Sequence, residues 1–222
     1  MNFGGKDLVI KRIKRLVDGK SNEEEPIQLT AEMIEELAAA LPPKEPDLRT
    51  IGIFTDVAEE KCAELVHAML YLDELNALEK TEERKQPIQF YISTYGGSAD
   101  DMFGLYDVMR QIKKRTEIHT IGVGKVMSAG VLLLAAGTTG KRKIGKNCRV
   151  MIHSVIGGNH GSLHNMVNEM EAIEQLQEMY CNALIAETHM TKKQLKKMLE
   201  RKVNVYLTAE EAVELGIADI II

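Results

Sequence analysis

Apolar and polar positions along the chain follow two patterns that predict strands and helices in turn from residue 49 to the C-terminus. Short apolar runs predict strands, and apolar residues at every third or fourth position predict helices. The predicted strands are 49–55, 87–93, 118–124, 148–155, 203–207 and 218–222, and the predicted helices are 57–78, 99–113, 128–136, 163–188, a helix opening at 191, and 208–216. Because strands separated by helices form βαβ units, the pattern predicts an α/β fold with a mostly parallel sheet.

Two of these helices also carry a start signal. Thr191 with Gln194 and Thr208 with Glu211 have the spacing of a capping box, in which each side chain bonds the backbone of the other residue. The helix at 163–188 is the longest, at about 26 residues against an average of about 11–12.

Residues 1–48 differ from the rest, and we interpret them as an N-terminal arm and linker. Lys and Arg crowd positions 6–20, SNEEEP follows, then an amphipathic TAEMIEELAAAL, and PPKEPD leads into the first strand. Prolines in such a cluster interrupt regular structure. The arm either contacts a partner or is a solvated tail.

Composition excludes several functional classes. The 222 residues, 45% hydrophobic and 27% charged, suffice for one domain with a sizeable core. A net charge of -5 argues against a general nucleic-acid binder. Its 3 cysteines lie far apart and outside any CxxC pattern, which fits a reducing compartment rather than a disulfide framework or zinc site. No apolar run approaches the ~20 residues that span a bilayer, and no signal-peptide core is found, so we expect a cytoplasmic protein without membrane partners.

Gly96 and Gly97 lie between a predicted strand and a predicted helix. Glycines at such a point allow backbone N–H groups to face a bound group, and the helix N-terminus adds a positive dipole. The same pair also suits an ordinary tight turn. The motif by itself leaves an oxyanion or phosphate site and a plain turn open.

Ser128 and His153 are the candidate nucleophile and base. Ser128 lies in GKVMSAG between a strand and a helix, in a layout similar to a nucleophile elbow, and the N–H of Ala129 can point the same way as its hydroxyl. The alternative is a helix N-cap serine. His153 lies at the end of an apolar strand, where α/β sheets place their sites. The alternative is a hydrogen-bonded core histidine.

Metal and nucleotide chemistry have no motif in the sequence. His160 and His164 lie four residues apart, but nothing completes the three protein ligands that zinc needs. No GxxxxGK[ST] motif is present. We therefore expect no metal and no cofactor, and no ATP hydrolysis by this chain itself.

Taken in order, four stretches resemble the proteolytic subunit of the Clp protease, a family of serine peptidases. They are YISTYGGSADDMFGLYDVM, GVGKVMSAGVLLLAAGTTGKR, NCRVMIHSVIGG and YLTAEEAVELGIAD, and the similarity runs from about Arg49 to Ile222. The resemblance implies a βαβ superhelix of the crotonase and Clp-protease kind at 49–222, with a protruding handle at about 155–188 formed by a strand and the long helix. It also implies a homo-oligomeric barrel of two stacked heptamers, a tetradecamer, that degrades polypeptides delivered by an AAA+ unfoldase. A divergent or phage-type member stays open.

The resemblance also implies residue roles. Ser128 would be the nucleophile and His153 would take its proton and later return it to the leaving amine. The N–H groups of Gly97 and Ala129 would form the oxyanion hole. The family's third triad residue is an Asp, and the matching position here is Asn204.

Asn204 is the main departure from the family pattern. No Asp lies between Ala186 and Ala218, although Glu187 and Glu200 could supply a carboxylate. An Asn can orient an imidazole but cannot offset the charge of an imidazolium. Tyr95, where the family usually has Pro, and the long N-terminal segment are lesser departures.

Two functions from other classes stay open. Asn204 is consistent with a catalytically impaired subunit that has a structural or regulatory role in the ring. A crotonase-type acyl-CoA enzyme shares the fold and holds a thioester oxyanion with paired N–H groups. The order of Ser128 and His153 argues against the acyl-CoA enzyme.

Overall fold

The computed structural model describes residues 48–79, 81–158, 160–200 and 204–222. The predicted arm at 1–48, apart from Leu48, lies outside the described residues. The strands are β1 Thr50–Ile53, β2 Ile88–Thr94, β3 Ile118–Met127, β4 Lys143–Ile144, β5 Arg149–Ile152, β6 Val205–Leu207 and β7 Ile220–Ile221. The helices are α1 Glu59–Ala77, α2 Ala99–Ile112, α3 Ala129–Ala135, α4 Leu163–Glu187, α5 Lys192–Leu199 and α6 Ala209–Glu214, with a 3-10 turn at Glu82–Arg84.

Six of the seven strands are parallel, as the βαβ pattern predicts. The main path of the sheet runs β1-β2-β3-β4-β7. Strand β5 pairs in parallel with the second half of β3, beyond the stretch that pairs with β4. Strand β6 pairs with β5 and is antiparallel to it. The α/β fold is thereby confirmed.

Strand β3 differs from its prediction because it continues past Gly124 to Met127. Gly124 has φ +67° and lies where the register between β2 and β3 shifts. A glycine in this conformation lets a strand absorb extra residues as a bulge and continue. Between the pairs Ile92–Gly122 and Thr94–Val126, β3 advances four residues while β2 advances two, and β3 then ends at Met127, directly before Ser128.

Helix α3 is apolar on all sides, with the sequence AGVLLLA, and every one of its residues is buried. A helix without a polar face belongs inside a core. It packs against β2, β3, β5 and the helices α2 and α4. The residue before α3 is therefore held at the end of a fully buried helix.

Helix α4 is buried only toward its C-terminal end, at Tyr180, Ala183 and Leu184. Its earlier part exposes large apolar side chains, and Leu163 and Met170 are 68% and 64% exposed. An exposed apolar stretch of this kind is usual where another protein surface packs. No helix among the described residues combines the length and apolar character that crossing a membrane requires.

An ion pair between the buried Arg142 and the partly buried Asp219 joins the last strand to the sheet. Arg142, before β4, donates from Nε and Nη2 to the Asp219 carboxylate before β7, at 2.9 and 2.6 Å. Arg142 also donates to the carbonyl oxygens of Ala135 and Glu187, at 3.2 and 2.6 Å. Burial alone would raise the pKa of Asp219, but the hydrogen bonds and charge of Arg142 lower that pKa below its ordinary value.

The two capping boxes are confirmed at the starts of α5 and α6. In each case the threonine hydroxyl accepts from the backbone N–H three residues later, and that residue's side chain accepts from the threonine N–H. Strand β4, only two residues long, was not predicted. Strand β5 ends at Ile152, so His153 lies just past the strand.

Candidate active site

Ser128 has an unusual backbone between β3 and α3. Its φ of +52° and ψ of -122° make it the one non-glycine residue with positive φ among those described. Such a conformation costs on the order of 1–3 kcal/mol and persists only where the surroundings impose it. The backbone N–H of Ser128 donates to the Met151 carbonyl at 2.8 Å, and its carbonyl accepts from the Val131 N–H at 3.0 Å. Strained serines of this kind, on a sharp strand-to-helix turn, present the hydroxyl outward.

The alternative that Ser128 is only a helix N-cap is correct for its position but not for its hydrogen bonding. Ser128 occupies the N-cap position of α3, but its hydroxyl makes no capping hydrogen bond. The serines and threonines that precede α2, α4, α5 and α6 all accept a bond from the backbone of their helix. The Ser128 hydroxyl is therefore not committed to its helix.

Close contacts require glycine, which has no Cβ, at both position 96 and position 97. Gly96 has φ +105°, and a Cβ there would lie 2.5 Å from Ser128 Cβ and 3.0 Å from Ser128 Oγ. Gly97 has φ +152°, and a Cβ there would lie 2.1 Å from the Val57 carbonyl oxygen. A plain turn does not explain this, because Gly96 lies directly against the candidate nucleophile and Gly97 directly against Val57.

The N–H of Gly97 faces the same side as Ser128. The carbonyl of Gly96 and the N–H of Ser98 both bond Val57, which follows β1, at 2.8 Å each. Successive peptide groups of an extended chain point in opposite directions, so the Gly97 N–H points away from Val57. Because β2 lies between β1 and β3, that direction is toward the end of β3.

The Ala129 N–H is the first of α3, and first-turn N–H groups have no partner within a helix. Among the described residues, neither this N–H nor that of Gly97 donates to a backbone or side-chain acceptor. The two groups are thus available at the end of β3 for an acceptor oxygen of a ligand.

Strand register brings the other two candidates to the same end of the sheet. The last β3–β5 pair is Met127 with Met151, one residue before Ser128. The last β5–β6 pair is Ile152 with Val205. The same register, continued by one step, would set His153 opposite Asn204, and directly opposed residues of an antiparallel pair have Cβ atoms about 4.5–5.5 Å apart.

The hydrogen bonds of a catalytic triad are not formed within this isolated chain. Among the described residues, His153 has no hydrogen bond to Ser128 or to Asn204; His153 is half-buried and Asn204 is exposed. Catalytic hydrogen bonds are often long in proteins without substrate, so their absence does not remove the candidates.

Neither carboxylate that the sequence offered as a substitute contacts His153. The Glu187 carboxylate accepts from Tyr106 Oη at 3.0 Å and from Lys113 Nζ at 3.2 Å. The Glu200 carboxylate lies 3.5 Å from Lys196 Nζ in an exposed pair. Of the three candidates for the third triad position, Asn204 is the one that the continued register of β5 and β6 brings next to His153.

Tyr95, the second departure from the family pattern, is 65% exposed. Lys125 Nζ lies 4.6 Å from the centre of its ring, within the range of a cation–π contact. The tyrosine thus points outward beside the glycine pair and leaves the Gly97 backbone unobstructed.

Two residues of α4 that were not predicted from the sequence contact the site. Tyr180 Oη donates to the Ser128 carbonyl at 3.0 Å, and Gln177 Oε1 accepts from the Val155 N–H at 2.7 Å. A tyrosine within a buried stripe was the available signal, because a buried phenol usually has a hydrogen-bond partner. Within the described ranges no group of three His, Cys, Asp or Glu is arranged to hold a metal ion.

Fold and site define an α/β protein with a strained serine at a strand-to-helix turn, two available N–H groups and a histidine just past the end of the adjacent strand. The model of the Clp protease family matches residues 46–222. The chain therefore belongs to the Clp protease family.

Curated relatives agree with this assignment. "ATP-dependent Clp protease proteolytic subunit 1" of Prochlorococcus marinus (strain MIT 9312) is 32% identical over 174 residues, which are 78% of this chain and 84% of that protein. "ATP-dependent Clp protease proteolytic subunit 3" of Synechococcus sp. (strain CC9605) is 33% identical over 175 residues, 78% of this chain and 82% of that protein. Proteolytic subunit 2 of Parasynechococcus marenigrum (strain WH8102) is 31% identical over 174 residues, with 78% and 83% coverage.

Proposed function

We propose that this chain is a cytoplasmic serine endopeptidase, the proteolytic subunit of a ring-shaped ATP-dependent protease, with its peptidase domain at 49–222. Ser128 is the nucleophile and His153 the general base. The observation that carries the proposal is the backbone of Ser128, which is held in a strained conformation with its hydroxyl unused by the helix it precedes. Three free cysteines fit a reducing compartment.

The proposed reaction is acyl transfer in two steps. Ser128 Oγ attacks the carbonyl carbon of the scissile peptide bond while His153 takes the hydroxyl proton. The bond to the leaving amine then breaks, and His153 returns the proton to that amine. Water, activated by His153, hydrolyses the resulting acyl-enzyme and releases Ser128.

The N–H groups of Gly97 and Ala129 stabilise the negative charge on the carbonyl oxygen of the tetrahedral intermediate. Loss of one such donor typically lowers kcat by about 10²–10³. The Gly96 and Gly97 backbone conformations and the helix start at Ala129 support this role, because both N–H groups are left available at the end of β3.

Assembly follows from the same proposal. The exposed apolar side chains of α4 support a handle at about 155–188 that packs against a second ring, in a tetradecamer of two heptamers. Unfolded polypeptide substrates would come from an AAA+ unfoldase, and short peptides would be cleaved without it.

A fluorophosphonate probe tests the proposed nucleophile. The probe should label purified wild-type protein at Ser128, identified by mass spectrometry of the modified peptide, and should leave Ser128→Ala unlabelled. Labelling of the wild type at other residues only, or none under conditions that label a related active peptidase, would refute the assignment.

A catalytically impaired ring subunit is the second candidate, and the exposed Asn204 opposite His153 favours it. Peptide cleavage by wild type, Ser128→Ala and Asn204→Asp separates the two functions. An enzyme gives measurable wild-type cleavage that Ser128→Ala abolishes. A silent subunit gives wild-type cleavage equal to that of Ser128→Ala.

A further inference from the structure

One turn of α4 bonds the backbone on both sides of the site. Tyr180 Oη donates to the carbonyl of Ser128 at 3.0 Å, and Gln177 Oε1 accepts from the N–H of Val155, two residues after His153, at 2.7 Å. Residues three apart lie on the same face of a helix. The two contacts therefore come from one small patch of α4.

The Tyr180 bond acts on a single rigid unit of the site. The carbonyl of Ser128 and the N–H of Ala129 belong to the same planar peptide group, in which the C=O and N–H of a trans peptide point in opposite directions. A donor on the carbonyl therefore fixes the direction of the Ala129 N–H. It also polarises that N–H, because hydrogen bonds along a chain strengthen one another.

Tyr180 is suited to this task because it is a permanent donor. The side chain is 5% exposed, and burial raises the pKa of its phenol above the ordinary value, with a further contribution from Cys181. The phenol stays protonated over the pH range in which a histidine base works. The Val131 N–H bonds the same carbonyl as part of the helix, so Tyr180 supplies an additional constraint.

Gln177 constrains the chain that leaves His153. Its Oε1 holds the Val155 N–H in the segment between β5 and α4, where no strand pairing fixes the backbone among the described residues. His153 itself lies outside β5, so its position depends on such contacts.

We propose that Tyr180 and Gln177 are positioning residues: Tyr180 sets the peptide plane that presents the Ala129 N–H, and Gln177 sets the backbone that carries His153. The inference rests on the proposed peptidase function. It makes α4 a part of the catalytic geometry as well as an assembly surface.

Tyr180→Phe tests the first half, with Tyr106→Phe as the matched control. Tyr106 is also buried, and its hydroxyl donates to Glu187 at 3.0 Å, away from the site. Each variant loses one buried phenolic hydroxyl and keeps the ring. We expect Tyr180→Phe to lower kcat for peptide hydrolysis roughly three- to tenfold with KM unchanged, the size of one neutral hydrogen bond. Tyr106→Phe should keep the wild-type kcat.

Gln177→Glu and Gln177→Met test the second half. The glutamate keeps an oxygen that can accept from the Val155 N–H, whereas the methionine has similar length and no such oxygen. We expect Gln177→Met to lower kcat and to alter the pH profile of kcat/KM, which reports the free enzyme's base, and Gln177→Glu to restore both toward wild type. Circular dichroism and gel filtration confirm that each variant is folded and assembled as the wild type.

The possible results distinguish failure of the positioning roles from failure of the proposed peptidase function. If the wild type cleaves peptides and Tyr180→Phe matches Tyr106→Phe in kcat, the role of Tyr180 is wrong while the peptidase stands. Equal kcat values for the two Gln177 variants would likewise remove the role of Gln177. If the probe fails to label Ser128 in the wild type, the peptidase function itself is refuted.

Discussion

Addition of one methyl group at Gly96 should disable Ser128 by displacing it. In Gly96→Ala the new Cβ would lie 2.5 Å from Ser128 Cβ, whereas two carbon atoms in contact normally stay about 3.5–4.0 Å apart. One of the two residues must therefore move by about 1 Å, and a misplacement of this size typically costs about 10²-fold in rate. We expect kcat/KM and the rate of fluorophosphonate labelling at Ser128 to fall by about that factor.

The same substitution should also destabilise the fold. Alanine at φ +105° is strained, by at least about 1–2 kcal/mol, and the overpacked contact adds about 1–3 kcal/mol. Urea unfolding measures this cost separately from the rate. A large loss of rate in protein that is still fully folded is the expected signature.

Two other glycines provide controls for strain and for methyl addition. Gly140 has φ +82° but a Cβ there meets nothing within 4 Å, so Gly140→Ala carries strain without displacement. Gly104 lies within α2 with open space around it, so Gly104→Ala should stabilise by about 0.5–1 kcal/mol. Both should label at the wild-type rate. If folded Gly96→Ala also labels at that rate, the contact with Ser128 does not control its reactivity and the reasoning is wrong.

Further predictions concern the third triad position, the buried ion pair and a buried thiol. Asn204→Asp should raise kcat for peptide hydrolysis by tenfold or more, since the reverse exchange costs a serine peptidase about 10⁴; an unchanged or lower kcat would show that residue 204 does not act on His153. Asp219→Ala should lower the free energy of unfolding by about 3–5 kcal/mol, because it leaves Arg142 buried without its partner. In the wild type the part of the stability that comes from the lowered pKa of Asp219 should be complete above the ordinary carboxyl pKa of about 3.9 and be lost as the pH falls through the lower folded pKa, seen in urea unfolding from about pH 2 to 7. Cys148, whose pKa burial raises to about 11, should have a thiolate fraction of about 10⁻³ at pH 8 and should react with a disulfide reagent only after unfolding.

The predictions for Asp219 and Cys148 each have an internal comparison. Glu64→Ala breaks the exposed Lys61–Glu64 pair, which should contribute no more than about 0.5 kcal/mol, so an equal cost at Asp219 would contradict the argument from burial. Cys181 is partly exposed, so it should be the first of the thiols to react in the native protein. Rapid native reaction of Cys148 would show that its surroundings open.

Much of the fold could be predicted because its elements are defined locally. The buried alternation along β2, Ile88 to Thr94, and the capping box at Thr208 each depend on residues within a few positions of one another. Gly124 misled the prediction because a glycine inside a bulge and a glycine ending a strand look alike in sequence. Strand β4 was not predicted because a strand of two residues is too short to show an alternating pattern.

The candidate site likewise has residues that could be predicted from local sequence and contacts that could not. Ser128 and the glycine pair closely follow predicted strands and His153 lies near the end of one, so local pattern and family resemblance found them. The facing of His153 and Asn204 depends on the register of β5 and β6, and the bond from Tyr180 joins residues 52 positions apart. Both require the tertiary structure.

The exposure of Asn204 has a consequence for how this chain can evolve. Most residues near Ser128 are confined by packing, as the 2.5 Å contact at Gly96 illustrates. Asn204 lies just before β6 with its side chain in solvent, so it can be replaced without repacking the core. If it acts on His153 as proposed, a substitution at this one position changes the turnover rate and leaves the architecture intact.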